Sequence, residues 1–116
     1  MPDEGEPMTE LWKQRPVERP LGTPTLTEAD AAGLDGQLSE GWYREGTTRL
    51  RREFSFKTFS AAFAYATRLA LLAEQYQHHP VLEVSWGRLV VSFTTDSIGG
   101  LSENDYIMAA RIDRLD

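Results

Sequence analysis

The change of hydrophobic period near residue 80 constrains this chain more than any other feature. From Thr58 to about Gln77, Phe59, Ala62, Phe63, Ala66, Leu69, Ala70 and Ala73 recur as one stripe at helical spacing. Pro80 stops that pattern, and the residue before it, His79, is pushed toward extended backbone. Beyond it Leu82, Val84 and Trp86 alternate with Val81, Glu83 and Ser85, and Leu89, Val91 and Phe93 alternate with Val90, Ser92 and Thr94. A period of 3.6 followed by a period of 2 cannot belong to one element. The segment therefore reads as a long helix followed by a β-hairpin that turns at Gly87-Arg88 and runs to about Thr95. The helix stripe has to be buried, and a sheet is the surface available to it.

The flanking segments extend this unit. Thr27 with Asp30 forms a capping pattern before a short helix reaching about Leu38, whose Ala31, Leu34 and Leu38 share a face; Gly41 is a plausible stop. Trp42 and Tyr43 lead to a turn at Glu45-Gly46 and then a strand over Leu50 to Phe56. On that strand Leu50, Phe54 and Phe56 face one way, Arg51, Glu53 and Ser55 the other, and Arg52 interrupts the apolar face. Arg51 and Arg52 read either as a solvated rim or as an anion or partner contact. After the bend at Gly99-Gly100, Ser102 to Asp105 repeats the capping pattern, and Met108, Ala109, Ile112 and Leu115 define a closing amphipathic helix.

With 116 residues, there is room for one core only. The fold class expected is α+β: a small antiparallel sheet of at least three strands with helices packed on one face. The other sheet face carries Val81 and Val90, and so small a sheet exposes an edge strand, so self-association as a homodimer is expected. Residues 1–24 hold Pro2, Pro7, Pro16, Pro20 and Pro24 among charged residues and read as a flexible or extended N-terminal arm, with the domain occupying 25–116. Within the arm, Leu11 and Trp12 either pack on the domain or dock on a partner.

A net charge of -6 opposes binding to nucleic acid or to an anionic bilayer. The longest nearly apolar run, Leu69 to Ala73, is far short of the roughly 20 residues that span a membrane, and the acidic N-terminus has no signal-sequence character, so a cytoplasmic protein is expected. Without cysteine, disulfides and thiolate chemistry are excluded.

Two clusters have the residue types for proton chemistry. His78 and His79 follow the long helix, and as neighbours in extended chain they point in opposite directions, which argues against a simple metal pair. An imidazole serves as acid or base near neutrality; equally, His78 reads as a helix C-terminal group and His79 as packing beside Pro80. Asp96, in Thr94-Thr95-Asp96-Ser97, lies at the open end of the hairpin that His78 and His79 also flank, which suggests that it converges with a histidine. Read structurally, Asp96 and Ser97 simply bond loop backbone. No phosphate loop, HExxH pair or Gly-x-Ser-x-Gly elbow is present.

These residues together, His78-His79-Pro80, Thr94-Thr95, Gly99-Gly100-Leu101-Ser102 and Asp105, with Gly41-Trp42, Arg52 to Phe56 and the alanine-rich helix ending Ala73-Glu74, resemble the pterin-4a-carbinolamine dehydratase family over about residues 26–115. The resemblance implies removal of water from a 4a-hydroxytetrahydropterin to give the quinonoid dihydropterin, with no metal and no other cofactor, in a protein that associates through edge strands and helices. It places His78 and His79 at the family's first two histidines. Its third histidine falls at Asp96, and the aspartate that follows falls at Ser97. The altered segment and the Pro-rich arm bearing Trp12 are also similar to the branch of dehydratase-like proteins encoded with α-carboxysome components. That likeness implies a RuBisCO assembly factor, a homodimer that binds RuBisCO subunits, cytoplasmic or carboxysome-associated, and non-catalytic or impaired. The alternative is a working dehydratase in which His78 transfers the proton, His79 shapes the ring pocket and Asp96 is an electrostatic partner or replacement base.

Overall fold

The computed structural model describes residues 10–115. Its elements are α1 (Glu28–Asp35), β1 (Tyr43–Glu45), β2 (Arg49–Ser55), α2 (Phe59–Tyr76), β3 (Val81–Ser85), β4 (Arg88–Phe93) and α3 (Glu103–Asp113), with short 3-10 turns at Leu11–Lys13 and Asp96–Ile98. The strands form one antiparallel sheet in the order β1-β2-β4-β3. The α+β class expected from the sequence is the class observed. β1 is a fourth strand with no sequence signal of its own, because three residues are too few to display alternation.

All three helices start where a side chain replaces the missing acceptor for the first amide groups. Thr27 Oγ1 accepts from Asp30 N at 3.0 Å, and Thr58 Oγ1 accepts from Ala61 N at 3.0 Å. Ser102 and Asp105 form a reciprocal capping box at α3. α2 ends at Gln77, whose left-handed backbone (φ 56°) closes the last turn and sends the chain toward Pro80.

The α2 stripe is rotated from the expected one. Ala62, Ala66, Leu69 and Ala73 are buried, and Tyr65, Leu72 and Tyr76 flank them, whereas Phe59, Phe63 and Ala70 are exposed. The sheet covers only one sector of the helix, centred on the small residues that let it approach closely, and the two phenylalanines lie beyond that sector. Leu89, Val91 and Phe93 of β4 meet this sector, together with Met108 and Ile112 of α3. The hairpin turn is Trp86-Gly87, not Gly87-Arg88, because Ser85 pairs with Arg88. Gly87 takes a positive φ of 69° there, with Phe56 O only 2.9 Å from where a Cβ would stand.

Arg52, which interrupts the apolar face of β2, is tied within the domain. Its guanidinium lies 4.5 Å from the Phe54 ring centroid and 5.7 Å from that of Trp42, and donates to Asp113 Oδ1 at 2.7 Å. Asp113 also accepts from Ser39 N, Ser39 Oγ and Trp42 Nε1, so one carboxylate ties the segment after α1 and the strand to the end of α3. Arg51, about as buried as Arg52, bridges Glu45 at 3.0 Å and Glu83 at 3.2 Å. These ions, with Arg88 on Glu53, flank Val90, which is 1% exposed, so on the second sheet face Val81 at the β3 edge is the exposed apolar residue of the pair expected there. A second polar tie joins α1 to α3: buried Tyr106 donates to Asp35 Oδ1 at 2.7 Å, and burial, followed by that hydrogen bond, pushes its phenol above the ordinary range.

After the 3-10 turn at Leu11–Lys13, residues 14–24 form no helix or strand, and the segment is bonded to the domain. Leu11 is buried in the core, and Trp12 packs beside it under the Arg114 guanidinium, 4.1 Å from the ring centroid. Gln14 O accepts from Arg111 Nη2 at 2.6 Å. Of the two readings for Trp12, packing on the domain is the one observed. Residues 1–9 lie outside the described residues.

Candidate active site

The site begins with the way the chain leaves α2. The left-handed Gln77 turns His78 inward against β4, where its ring lies nearly parallel to that of Phe93, with an interplanar angle of 7° and centroids 6.0 Å apart. His79, one residue on, points to the surface and bonds Glu74 Oε2 through Nε2 at 2.6 Å. The opposite orientations expected of neighbouring histidines are seen.

His78 Nε2 lies 2.7 Å from Asp105 Oδ1. The Asp105 side chain is fully buried, and its other oxygen accepts from Ser102 N at 2.9 Å and from Thr95 Oγ1 at 2.8 Å. The Thr95 proton is committed to Asp105, so in the 2.7 Å contact between Thr95 Oγ1 and Ser102 Oγ the serine donates. Ser102 Oγ in turn accepts from Asn104 N at 3.1 Å. Every link of this buried chain directs a proton toward Asp105, so its charge is compensated without water. A carboxylate only accepts; His78 Nε2 therefore carries the proton, and Nδ1 is left as its acceptor nitrogen, with no partner among the described residues.

Around His78 lies a cleft of about 720 Å³. Its walls are the turn after α2 (Tyr76, Gln77, His78, His79), the end of β4 with the following 3-10 turn (Thr94, Thr95, Asp96, Ser97), Asn104 of α3, and residues 16–21 of the N-terminal segment. The three residues singled out from the sequence, His78, His79 and Asp96, thus line one cleft. The carboxylate that holds a histidine, however, is Asp105 and not Asp96. Asp96 is exposed at the start of its 3-10 turn, and its side chain has no partner among the described residues. Ser97 does bond backbone, donating from Oγ to Arg19 O at 2.6 Å.

Sequence reasoning saw Asp105 as a helix cap and missed its second duty. The cap occupies one carboxylate oxygen and leaves the other free, which is the one signal that a further donor was due. The N-terminal wall carried no signal. Among the described residues no group of three or more His, Cys, Asp or Glu is placed to hold a metal ion, and no helix is long and apolar enough to cross a membrane.

Fold and site together define an α+β protein with a carboxylate-held histidine at the wall of an open cleft, an arrangement suited to proton transfer. The family model for pterin 4 alpha carbinolamine dehydratase matches residues 24–115. A protein of Alkaliphilus metalliredigens, provisionally named a pterin-4-alpha-carbinolamine dehydratase, is 36% identical over 107 residues, covering 92% of this chain and 96% of that one. A provisionally named counterpart in Chlorobium luteolum is 40% identical over 111 residues, covering 93% and 96%. The crystal structure of a transcriptional coactivator/pterin dehydratase from Brucella melitensis superposes with a TM-score of 0.69 at 34% identity, over 77% of this chain and 95% of that one. The chain belongs to the pterin-4a-carbinolamine dehydratase family.

Proposed function

We propose that this chain binds a 4a-hydroxytetrahydropterin in the cleft and removes water from it, with His78 as the proton-transfer residue. The observation that carries this reading is His78 held through Nε2 by buried Asp105 while Nδ1 has no partner among the described residues. In the reaction the C4a–O bond breaks and its electron pair leaves with oxygen. The N5–H bond breaks as well, and its pair forms the C4a=N5 double bond. N5 and the hydroxyl-bearing C4a are adjacent, so one imidazole nitrogen can take the N5 proton and deliver it to the departing oxygen as water forms. No net proton is consumed, and Asp105 stabilises the imidazolium that forms in between. His79 and Asp96 shape the cleft, with Asp96 in the position where the family pattern has an imidazole. His78→Ala is expected to reduce accelerated dehydration by about a hundredfold or more while circular dichroism stays native. Wild-type protein that does not accelerate dehydration would defeat the reading.

A second reading, a RuBisCO assembly factor associated with the α-carboxysome, is favoured by Asp96-Ser97 in the altered segment and by the exposed pair Phe59 and Phe63, 6.0 Å apart. Its measurement is RuBisCO holoenzyme yield on native gels with and without this chain, total subunit expression matched. A rise that survives His78→Ala would establish assembly as a role separate from the cleft; no rise would remove it.

A further inference from the structure

We infer that Glu18 is a specificity-determining residue of the cleft, selecting pterins whose C6 substituent is neutral and hydroxyl-bearing over those whose substituent carries a carboxylate or phosphate. The inference rests on the pterin reading above. C6 is bonded to N5, so whenever the reacting edge of the ring sits at His78, the substituent lies in the same part of the cleft as the chemistry. The wall that has still to be accounted for is residues 16–21.

Glu18 is pinned from both sides. Val17 N donates to Asn104 Oδ1 at 3.1 Å, and Val17 O accepts from Asn104 Nδ2 at 2.7 Å, so one buried amide grips both backbone groups. Arg19 O accepts from Ser97 Oγ, and the Arg19 guanidinium donates to Asn104 Oδ1 at 3.2 Å and pairs with Glu103 at 3.6 Å. Between these two anchored residues exposed Glu18 is part of the cleft lining, and its side chain has no hydrogen bond or ion pair among the described residues. Asp96 lines the same cleft, also without a partner. The one arginine in the lining is Arg19, already paired with Glu103. Two carboxylates without a partner among the described residues thus stand in the lining of the cleft that would receive the substituent. Each accepts hydrogen bonds from hydroxyl groups and repels an anion. At a separation of about 6 Å and an effective dielectric of about 40, that repulsion is worth roughly tenfold in affinity per carboxylate, and salt screens it.

The test is fluorescence titration of the full chain at low salt with biopterin, whose C6 dihydroxypropyl group is neutral, and with 6-carboxypterin. Wild type is expected to prefer biopterin by about tenfold or more. Glu18→Gln should tighten 6-carboxypterin about tenfold and leave biopterin within about threefold, and 0.5 M salt should shrink the wild-type preference. Glu40→Gln, an exposed carboxylate outside the cleft, makes the same change of net charge and should leave the ratio alone. An unchanged ratio in Glu18→Gln, or an equal change in Glu40→Gln, overturns the inference. If both pterins bind and no dehydration is seen, the catalytic reading falls and the binding ratio still decides the role of Glu18. If neither pterin binds, both fall.

Discussion

Replacing Asp105 by alanine is expected to lower the unfolding free energy by about 3–5 kcal/mol, because it strands a set of buried donors rather than a single contact. His78 Nε2, Thr95 Oγ1 and Ser102 N all converge on this carboxylate, and of the three Thr95 alone has another acceptor at hand, Ser102 Oγ at 2.7 Å. A loss of that size is a large share of the stability of a domain this small, and should shift the thermal midpoint by roughly 10–25 °C. Urea unfolding followed by circular dichroism measures it, and a loss under about 1 kcal/mol would mean that the network is dispensable. Asp105→Asn separates the cap from the histidine. The amide keeps the shape and one acceptor oxygen, so stability should fall by less. It cannot both accept from the capping donors and hold the Nε2–H form of His78, so dehydration should fall by about a hundredfold or more at the substrate concentrations that saturate wild type. Full activity in Asp105→Asn would show that the imidazole is positioned by something else.

Asp113→Ala is the second large expected loss, about 3 kcal/mol, and it should leave pterin binding within about twofold. Four donors from two segments meet on Asp113: Ser39 N, Ser39 Oγ and Trp42 Nε1 from the connection after α1, and Arg52 Nη1 from β2. Truncation leaves the Arg52 guanidinium, three-quarters buried against Trp42 and Phe54, without its counter-ion. Arg52→Leu should cost less than Asp113→Ala, since leucine packs against the same rings and leaves Asp113 its other three donors. In the Arg52→Leu background the further cost of Asp113→Ala should shrink by about 1 kcal/mol or more, the coupling read from a double-mutant cycle. Additivity would place Arg52 on a solvated rim after all, which was one of the two roles its sequence position suggested.

These two carboxylates mark where the reading of the sequence stops. Period and caps are properties of neighbouring residues, and they were legible: the alanine-rich helix, the hairpin after Pro80, the caps at Thr27 and Ser102, and hence an α+β fold with helices against a small sheet. They also located His78, His79 and Asp96 at one end of that hairpin. What local pattern cannot contain is the identity of a partner far along the chain. His78 meets Asp105 27 residues away, Val17 meets Asn104 at a separation of 87, and Gln14 meets Arg111 at 97. Such contacts exist only once α3 has docked, because a buried polar group must be satisfied by whatever donor or acceptor the packing brings within reach. The same docking turned α2 so that Phe59 and Phe63 face outward, and it made the Pro-rich arm a wall of the cleft. The sequence by itself determined the elements other than β1, their order and the histidines. The tertiary structure alone decided which carboxylate holds His78, what Arg52 is for and what closes the site.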